Sequence, residues 1–458
     1  MRILCVAPTI GLLSFFFGVA QAVSCHNVTI SNAADAAEVR NDCTIITGTL
    51  EFSTDFKETV DLSGIEEIQG DILHTGCTYD CPALPPLFNI SSSTLAAVGG
   101  NLELSWFHGL QELQFPKLSV VEGSLSIYSA VQLERLDITK LSRVGDIMIR
   151  ATPNLASIQH EILKSFTGKE RPGTVHLTGA VESIDSFFSY PIEPVPLEND
   201  TRFSWLEIDS KSLPNVRHIN FGWSNLDYLN VNGDNLSITL GAANTTLMNM
   251  GTITLTGNIT KLEPGKALTN LTIGILRIDE TGLTDLNITA TQLSRLELFD
   301  NEELSTVTLP SKAFDWENFS LSLSGSPKLN FSSEYRHKDG GGEERFWFWP
   351  RQNIEVISIY QITTGTDFFK SFIEQYPNGT NSSGPAQSLE SFRIYPSESD
   401  TLDFDCHVFD DMRYQGILPN DTFSCWGNEI DSAAALTTTA CTAWLVRMVF
   451  LVTTVLLL

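Results

Sequence analysis

His74, Cys77 and Cys81 are spaced His-x2-Cys-x3-Cys, a pattern in which one imidazole and two thiolates can hold zinc. Two pairs of acids, Asp403-x-Asp405 and Asp410-Asp411, offer the two carboxylates that glycoside hydrolysis requires. Each pattern also has a plainer reading. Thiols in an oxidising compartment become disulfides, and the acid pairs flank cysteines near the chain end, where surface carboxylates are expected. The eight histidines are scattered at 26, 74, 108, 160, 176, 218, 337 and 407. No Gly-x-Ser-x-Gly, His-Glu-x-x-His or phosphate-cradling glycine loop is present. The sequence therefore points to no catalytic residue, no metal and no cofactor. The aromatic run Phe346-Trp347-Phe348-Trp349 could stack on sugar rings, but a core edge or cap is the commoner use. Trp106-Phe107-His108 and Trp205 likewise read as packing residues.

The two ends of the chain give it an address. Met1 to Ala22 has one basic residue, an apolar run through Phe15-Phe16-Phe17 and the small-x-small close Ala20-Gln21-Ala22, which predicts a secretory signal peptide over 1–22. At the other end, Asp431-Ser432-Ala433-Ala434-Ala435 precedes a short spacer and the apolar run Trp444 to Leu458. That order is what attachment of a glycosylphosphatidylinositol (GPI) lipid requires. Asp431 or Ser432 is the expected attachment residue, with 433–458 removed.

The cysteine and asparagine patterns agree with export. Cys25, Cys43, Cys77, Cys81, Cys406 and Cys425 remain once the end segments leave, and an even count reads as disulfides. The expected pairs are Cys25–Cys43, Cys77–Cys81 and Cys406–Cys425. Thirteen Asn-x-Ser/Thr sequons mark N-glycosylation candidates: Asn27, Asn89, Asn199, Asn235, Asn244, Asn258, Asn270, Asn287, Asn318, Asn330, Asn378, Asn381 and Asn420. The formal charge of −27, from 28 basic and 55 acidic residues, disfavours nucleic acid and anionic headgroups as partners.

Between the ends runs a repeat. Its unit is glycine, a small polar residue, then apolar-x-apolar: Gly48-Thr49-Leu50-Glu51-Phe52, Gly70-Asp71-Ile72, Gly100-Asn101-Leu102-Glu103-Leu104, Gly123-Ser124-Leu125-Ser126-Ile127, Gly145-Asp146-Ile147-Met148-Ile149 and Gly173-Thr174-Val175-His176-Leu177. The glycines are 22, 30, 23, 22 and 28 residues apart. A period in the twenties with short strands predicts a solenoid, whose coils hide their apolar faces only by stacking. Glycine would supply the positive φ of a tight corner, and the polar residue would bond its own turn. Between cassettes, Leu110, Leu113, Phe115, Leu118 and Val121 recur with the same offsets as Leu133, Leu136, Ile138, Leu141 and Val144. Ile158 to Phe166 is suited to a helical turn or two. The Pro-containing stretch Ser183 to Asp200 predicts a boundary between a first lobe, 23–190, and a second, 200–430, that ends in a cap. Later coils keep the alternation with looser glycines, and sequons such as Asn258, Asn270 and Asn287 place an apolar residue between Asn and its hydroxyl partner.

The coil pattern, flanking cysteines, sequons and GPI-type end resemble the fungal GPI-anchored cell-wall organisation proteins of the extracellular-mutant and sporulation-specific type. The repeats of those proteins are similar to receptor L domains. The resemblance spans roughly Cys25 to Cys425 and is strongest over Ile90 to Ile158. It implies an all-β, right-handed β-helix-like or leucine-rich solenoid, disulfide-capped, at the outer leaflet of the plasma membrane or in the wall. It also implies a non-enzymatic part in wall integrity or spore-wall assembly. Partners would be wall polysaccharide (glucan or mannan), other wall proteins and the anchoring membrane; the alternative is a receptor-like ectodomain for an extracellular ligand. The long Ser/Thr-rich stalk that often precedes the anchor site in such proteins is nearly absent here, which favours membrane attachment over cross-linking to glucan.

Overall fold

The computed structural model describes residues 23–75, 86–161, 163–166, 174–188, 205–241, 245–310, 316–329, 336–338, 342–344, 349–350, 354–362, 366–369, 372–373, 389–396 and 404–426. Both end segments lie outside these residues, as do Cys77, Cys81, Asn199, Asn244, Asn330, Asn378, Asn381, Asp431 and Ser432.

Strand side chains alternate between faces, so each apolar-x-apolar cassette forms a strand with two residues inward and one outward. Stacked coils then pair in parallel and in register. Leu102 pairs with Ile72 on one side and Leu125 on the other, and Leu125 pairs with Ile147. The result is a parallel β-solenoid whose main wall, among the described residues, is one 22-stranded sheet. Its rungs follow one another from Val28–Ile30 to Phe423–Cys425. Thr174 and Val175 pair with Trp205 and Leu206, so the strands before and after the proline-containing stretch are neighbours in the same ladder. A second, five-stranded wall is built from the intervening repeat, with Leu113, Leu136 and Ile158 in register.

The core is the set of inward ladders. Leu102, Leu125 and Ile147 are fully buried, as are Leu110, Leu113, Leu118 and Val121 with their copies Leu133, Leu136, Leu141 and Val144. Burying one such side chain is worth roughly 1.5–3 kcal/mol, and no coil can gain that without a neighbour. The ends need covers for the same reason. At one end, helix Ala33–Asp42 is capped by Asn32, whose Oδ1 accepts from the amides of Ala34 and Asp35 at 2.9 and 3.0 Å. The Cys25–Cys43 disulfide ties this end together. At the other, helix His407–Tyr414 lays Phe409 against Phe369, Phe392 and Phe404, and Cys406–Cys425 joins the helix to the last rung.

Three expectations need correction. Ile158 to Phe166 contributes strands, Ser157–Gln159 and Ser165–Phe166, because Leu136↔Ile158 and Val144↔Phe166 pairing outbids a short helix. The cassette glycines from Gly48 to Gly145 do not have positive φ. They are glycines because the coils touch there: a Cβ on Gly123 would lie 2.3 Å from Asn101 Oδ1, and one on Gly70 would lie 2.6 Å from the Gly48 carbonyl oxygen. The left-handed corners fall instead after the strands, at Trp106, Ser129, Ala151, Glu280 and Asp300.

Polar residues at the coil entries, Asp71, Asn101 and Asp146 after their glycines and Asn27 after His26, also work between coils and not within their own turns. Asn27 Oδ1 accepts from Thr49 N, Asp71 Oδ1 from Asn101 N, Asn101 Oδ1 from Ser124 N and Asp146 Oδ1 from Thr174 N, at 2.6–3.0 Å. This column satisfies the backbone donors of Thr49, Asn101, Ser124 and Thr174 and ties each of those coils to the one before it. Gly251 and Gly274 continue the close-contact column in the second half: a Cβ on either would meet a backbone carbonyl of the preceding coil, Asp227 or Gly251, at 2.4 or 2.5 Å.

Candidate functional site

The inward side chains of the main sheet are sealed in the core, so chemistry directed at a ligand must use the outward ones. Over the strands Trp205–Asp209, Asn225–Leu240, Leu247–Pro264, Asn270–Asp279 and Gln292–Phe299, these outward residues border a cleft of about 530 Å³. Register puts three parallel columns on this wall. One holds Trp205, Tyr228 and Thr252; the middle one holds Glu207, Asn230, Thr254, Arg277 and Glu297; the third holds Asp209, Asn232, Thr256 and Asp279.

The chemistry of the wall changes along the stack, from coil to coil. Asparagine amides and threonine hydroxyls, which can both donate and accept, occupy the centre. At one side Arg277 donates to Asp279 Oδ2 at 2.6 Å, lies 3.8 Å from Glu297 and sits over the Phe299 ring at 5.0 Å. At the other side the Trp205 and Tyr228 rings meet with centroids 4.7 Å apart. Trp205 is exposed, at 42 %, not packed as the sequence suggests. It stands where the Asn27-to-Thr174 column of entry residues would continue, so an aromatic pair replaces the polar ladder.

Among the described residues, the others singled out by sequence do not gather into a reactive centre. His74 is buried: Nδ1 donates to the Ser105 carbonyl at 2.9 Å and the ring stacks on Phe107 at 3.6 Å. Burial lowers its pKa to about 4, against one backbone hydrogen bond that favours the charged form. His160 is held the same way, stacked on Phe187 and bonded to the Leu141 carbonyl, with its pKa pushed to about 4 by burial. Both histidines are neutral packing groups at neutral pH. Asp405 accepts from His407 N at 2.9 Å at the start of the terminal helix, and Asp410 pairs with Arg413 one turn along it. Asp403 and Trp347 lie outside the described residues. Trp349 is fully buried with Nε1 donating to the Phe368 carbonyl, so it belongs to the end cap. Asp279, Glu280 and Asp300 bring carboxylates within 4.8 Å of one another. Asp279 is already committed to Arg277, and exposed acids alone do not make a metal centre.

Of the described sequons, Asn27, Asn235, Asn258, Asn270, Asn287, Asn318 and Asn420 are exposed and Asn89 is half-buried. In Asn258-Ile259-Thr260, Asn270-Leu271-Thr272 and Asn287-Ile288-Thr289 the middle residue is buried and Asn faces out. The cleft asparagines, Asn230 and Asn232, are not sequons. No pattern in the sequence flags the cleft, because its residues are ordinary polar positions of separate coils, gathered only by register.

No family model matches the chain, and no solved structure matches it. A curated protein does: protein ecm33 of Aspergillus fumigatus is 24 % identical over 218 residues, covering 44 % of this chain and 52 % of that protein. The chain thus spans about half the length of the relative it matches. Taken with the stacked repeat and the bridged ends, this similarity supports an Ecm33-type fungal cell-wall protein family.

Proposed function

We propose that this protein is a non-catalytic, GPI-anchored glycoprotein of the fungal cell surface that contributes to organisation of the cell wall. The observation that carries the reading is the combination of the in-register solenoid with the ecm33 match. A long stack of coils presents an extended surface, which suits holding partners in place more than turning them over. The signal-type first segment and the GPI-type last segment supply the address.

The test has two parts. Native protein should be released from membranes by phosphatidylinositol-specific phospholipase, and its C-terminal peptide should carry a lipid remnant on Asp431 or Ser432. A strain lacking the protein should be hypersensitive to wall-binding dyes. An intact Trp444–Leu458 tail on the mature protein refutes the anchor. Normal dye sensitivity refutes the wall role.

A further inference from the structure

Four of the five strongly exposed aromatic residues among those described, Tyr128, Trp205, Tyr360 and Trp426, point outward from the same face of the main sheet; the fifth, Tyr414, lies on the end helix. Each belongs to a cluster. Tyr128 meets Trp106 with centroids 5.2 Å apart, and Trp205 meets Tyr228 at 4.7 Å. Tyr360 stacks flat on Tyr395 at 4.8 Å, and Tyr395 meets Trp426 at 5.8 Å. Between the second and third clusters lies the polar cleft of amides, hydroxyls and the Arg277 network. Cross-strand pairing of Trp205 with Tyr228 and of Tyr360 with Tyr395 contributes only about 0.2–1 kcal/mol per pair, and the core, where burial would reward such rings, is on the other side of the sheet. Solubility argues against them.

We propose that this face is a binding track for a linear, neutral hexose polysaccharide, with the aromatic clusters as stacking platforms and the cleft as the hydrogen-bonding groove between them. A pyranose has an apolar face that stacks on an aromatic ring and a rim of hydroxyls that needs mixed donors and acceptors, which Asn230, Asn232, Thr254 and Arg277 supply. Charge selects further. Glu207, Asp209, Asp279 and Glu297 outnumber Arg277 on the cleft wall, so an anionic polymer is repelled. Six strand-to-strand steps separate the Trp205 rung from the Tyr360 rung. At ~4.8 Å per step along the stack and about 3.3 Å per residue for the four positions across the strands, the platforms are about 32 Å apart. A ligand that engages both must be a polymer, and linking two weak platforms raises affinity without any new contact.

This inference takes its setting, a polysaccharide wall, from the proposed function, but its test does not depend on anchoring or on a wall phenotype. The secreted glycoprotein, expressed as the full ectodomain, is titrated calorimetrically with β-1,3-gluco-oligosaccharides and α-1,6-manno-oligosaccharides of three to twelve residues, and with an oligogalacturonate. The expected result is binding of at least one neutral series, with affinity rising with length and no binding of the acidic series. Trp205→Ala and Tyr360→Ala should each weaken the longest oligomer about three- to tenfold, the loss of one aromatic stack, and flatten the dependence on length. Tyr414→Ala should change nothing. These side chains are exposed, so circular dichroism of each variant should match the parent. Failure of every neutral series to bind overturns the proposal, and so does binding that Trp205→Ala and Tyr360→Ala leave intact. If the lipid remnant and dye phenotype stand while the titration fails, the track is wrong and the wall function is not.

Discussion

Replacing Gly123 by alanine tests why the repeat has glycine. Its φ is not left-handed, so alanine has no conformational objection there. The obstacle is contact. The new Cβ would stand 2.3 Å from Asn101 Oδ1 and 2.9 Å from the Gly100 carbonyl oxygen, both inside the distance real Cβ atoms tolerate. Relief requires Asn101 to swing away, which releases the Ser124 amide from its 2.9 Å bond and costs about 1 kcal/mol. The coils must also part slightly, at about 1–3 kcal/mol for an overpacked site. The expected loss is about 2–4 kcal/mol. Asn101→Ala alone should cost about 1 kcal/mol, and in that background Gly123→Ala should become cheaper by a similar amount, because the side-chain half of the clash is gone. Urea denaturation of the four proteins gives the cycle, and amide exchange at Ser124 reports the local bond. The decisive variant is Gly123→Asn. Asparagine tolerates a left-handed corner better than alanine does, so if glycine were there for its φ, Asn would recover stability. A Gly123→Asn protein clearly more stable than Gly123→Ala would refute the contact argument.

Two further outcomes follow from buried polar groups. His160 has its pKa lowered from 6.5 to about 4 by burial, so between those values the unfolded chain binds the proton and the folded one does not. Stability should therefore be full above pH 6.5 and fall as the pH drops towards 4, by at most about 3 kcal/mol from this residue. His160→Phe should show a shallower pH dependence of the urea midpoint than the parent, and an unchanged slope would contradict the assignment. Asn301 is fully buried at a corner: Oδ1 accepts from Thr281 N and Oγ1 at 3.0 and 2.8 Å, and Nδ2 donates to the Ile278 and Phe299 carbonyls, both at 2.9 Å. Asn301→Ala strands these partners, so a loss of about 2–4 kcal/mol is expected in thermal or urea unfolding. A loss under 0.5 kcal/mol would mean water replaces the amide.

Much of the architecture was legible because a solenoid writes its contacts into its period. Each coil meets only its neighbours, so the offsets that recur from Leu110–Val121 to Leu133–Val144 are the packing itself. Alternation named the inward residues, and Leu102, Leu125 and Ile147 are buried as that alternation requires. Small end pieces were not legible. Helix Ala33–Asp42 carries a weak apolar stripe with one fully buried residue, Ala36, and is held by its Asn32 cap and its disulfide more than by amphipathicity.

Residue spacing alone determined that this chain forms stacked β-coils and which side chains fill them. Only the tertiary structure decided what the repeated glycines and polar residues do. A clash or a hydrogen bond between residues 22 to 30 positions apart exists only once the coils are laid at strand spacing, so the single-coil reading turned to φ and to local turns. The outward wall was hidden for the same reason. Trp205 and Tyr360 belong to coils 155 residues apart in the chain, and nothing but the register of the strands between them puts both rings on one face.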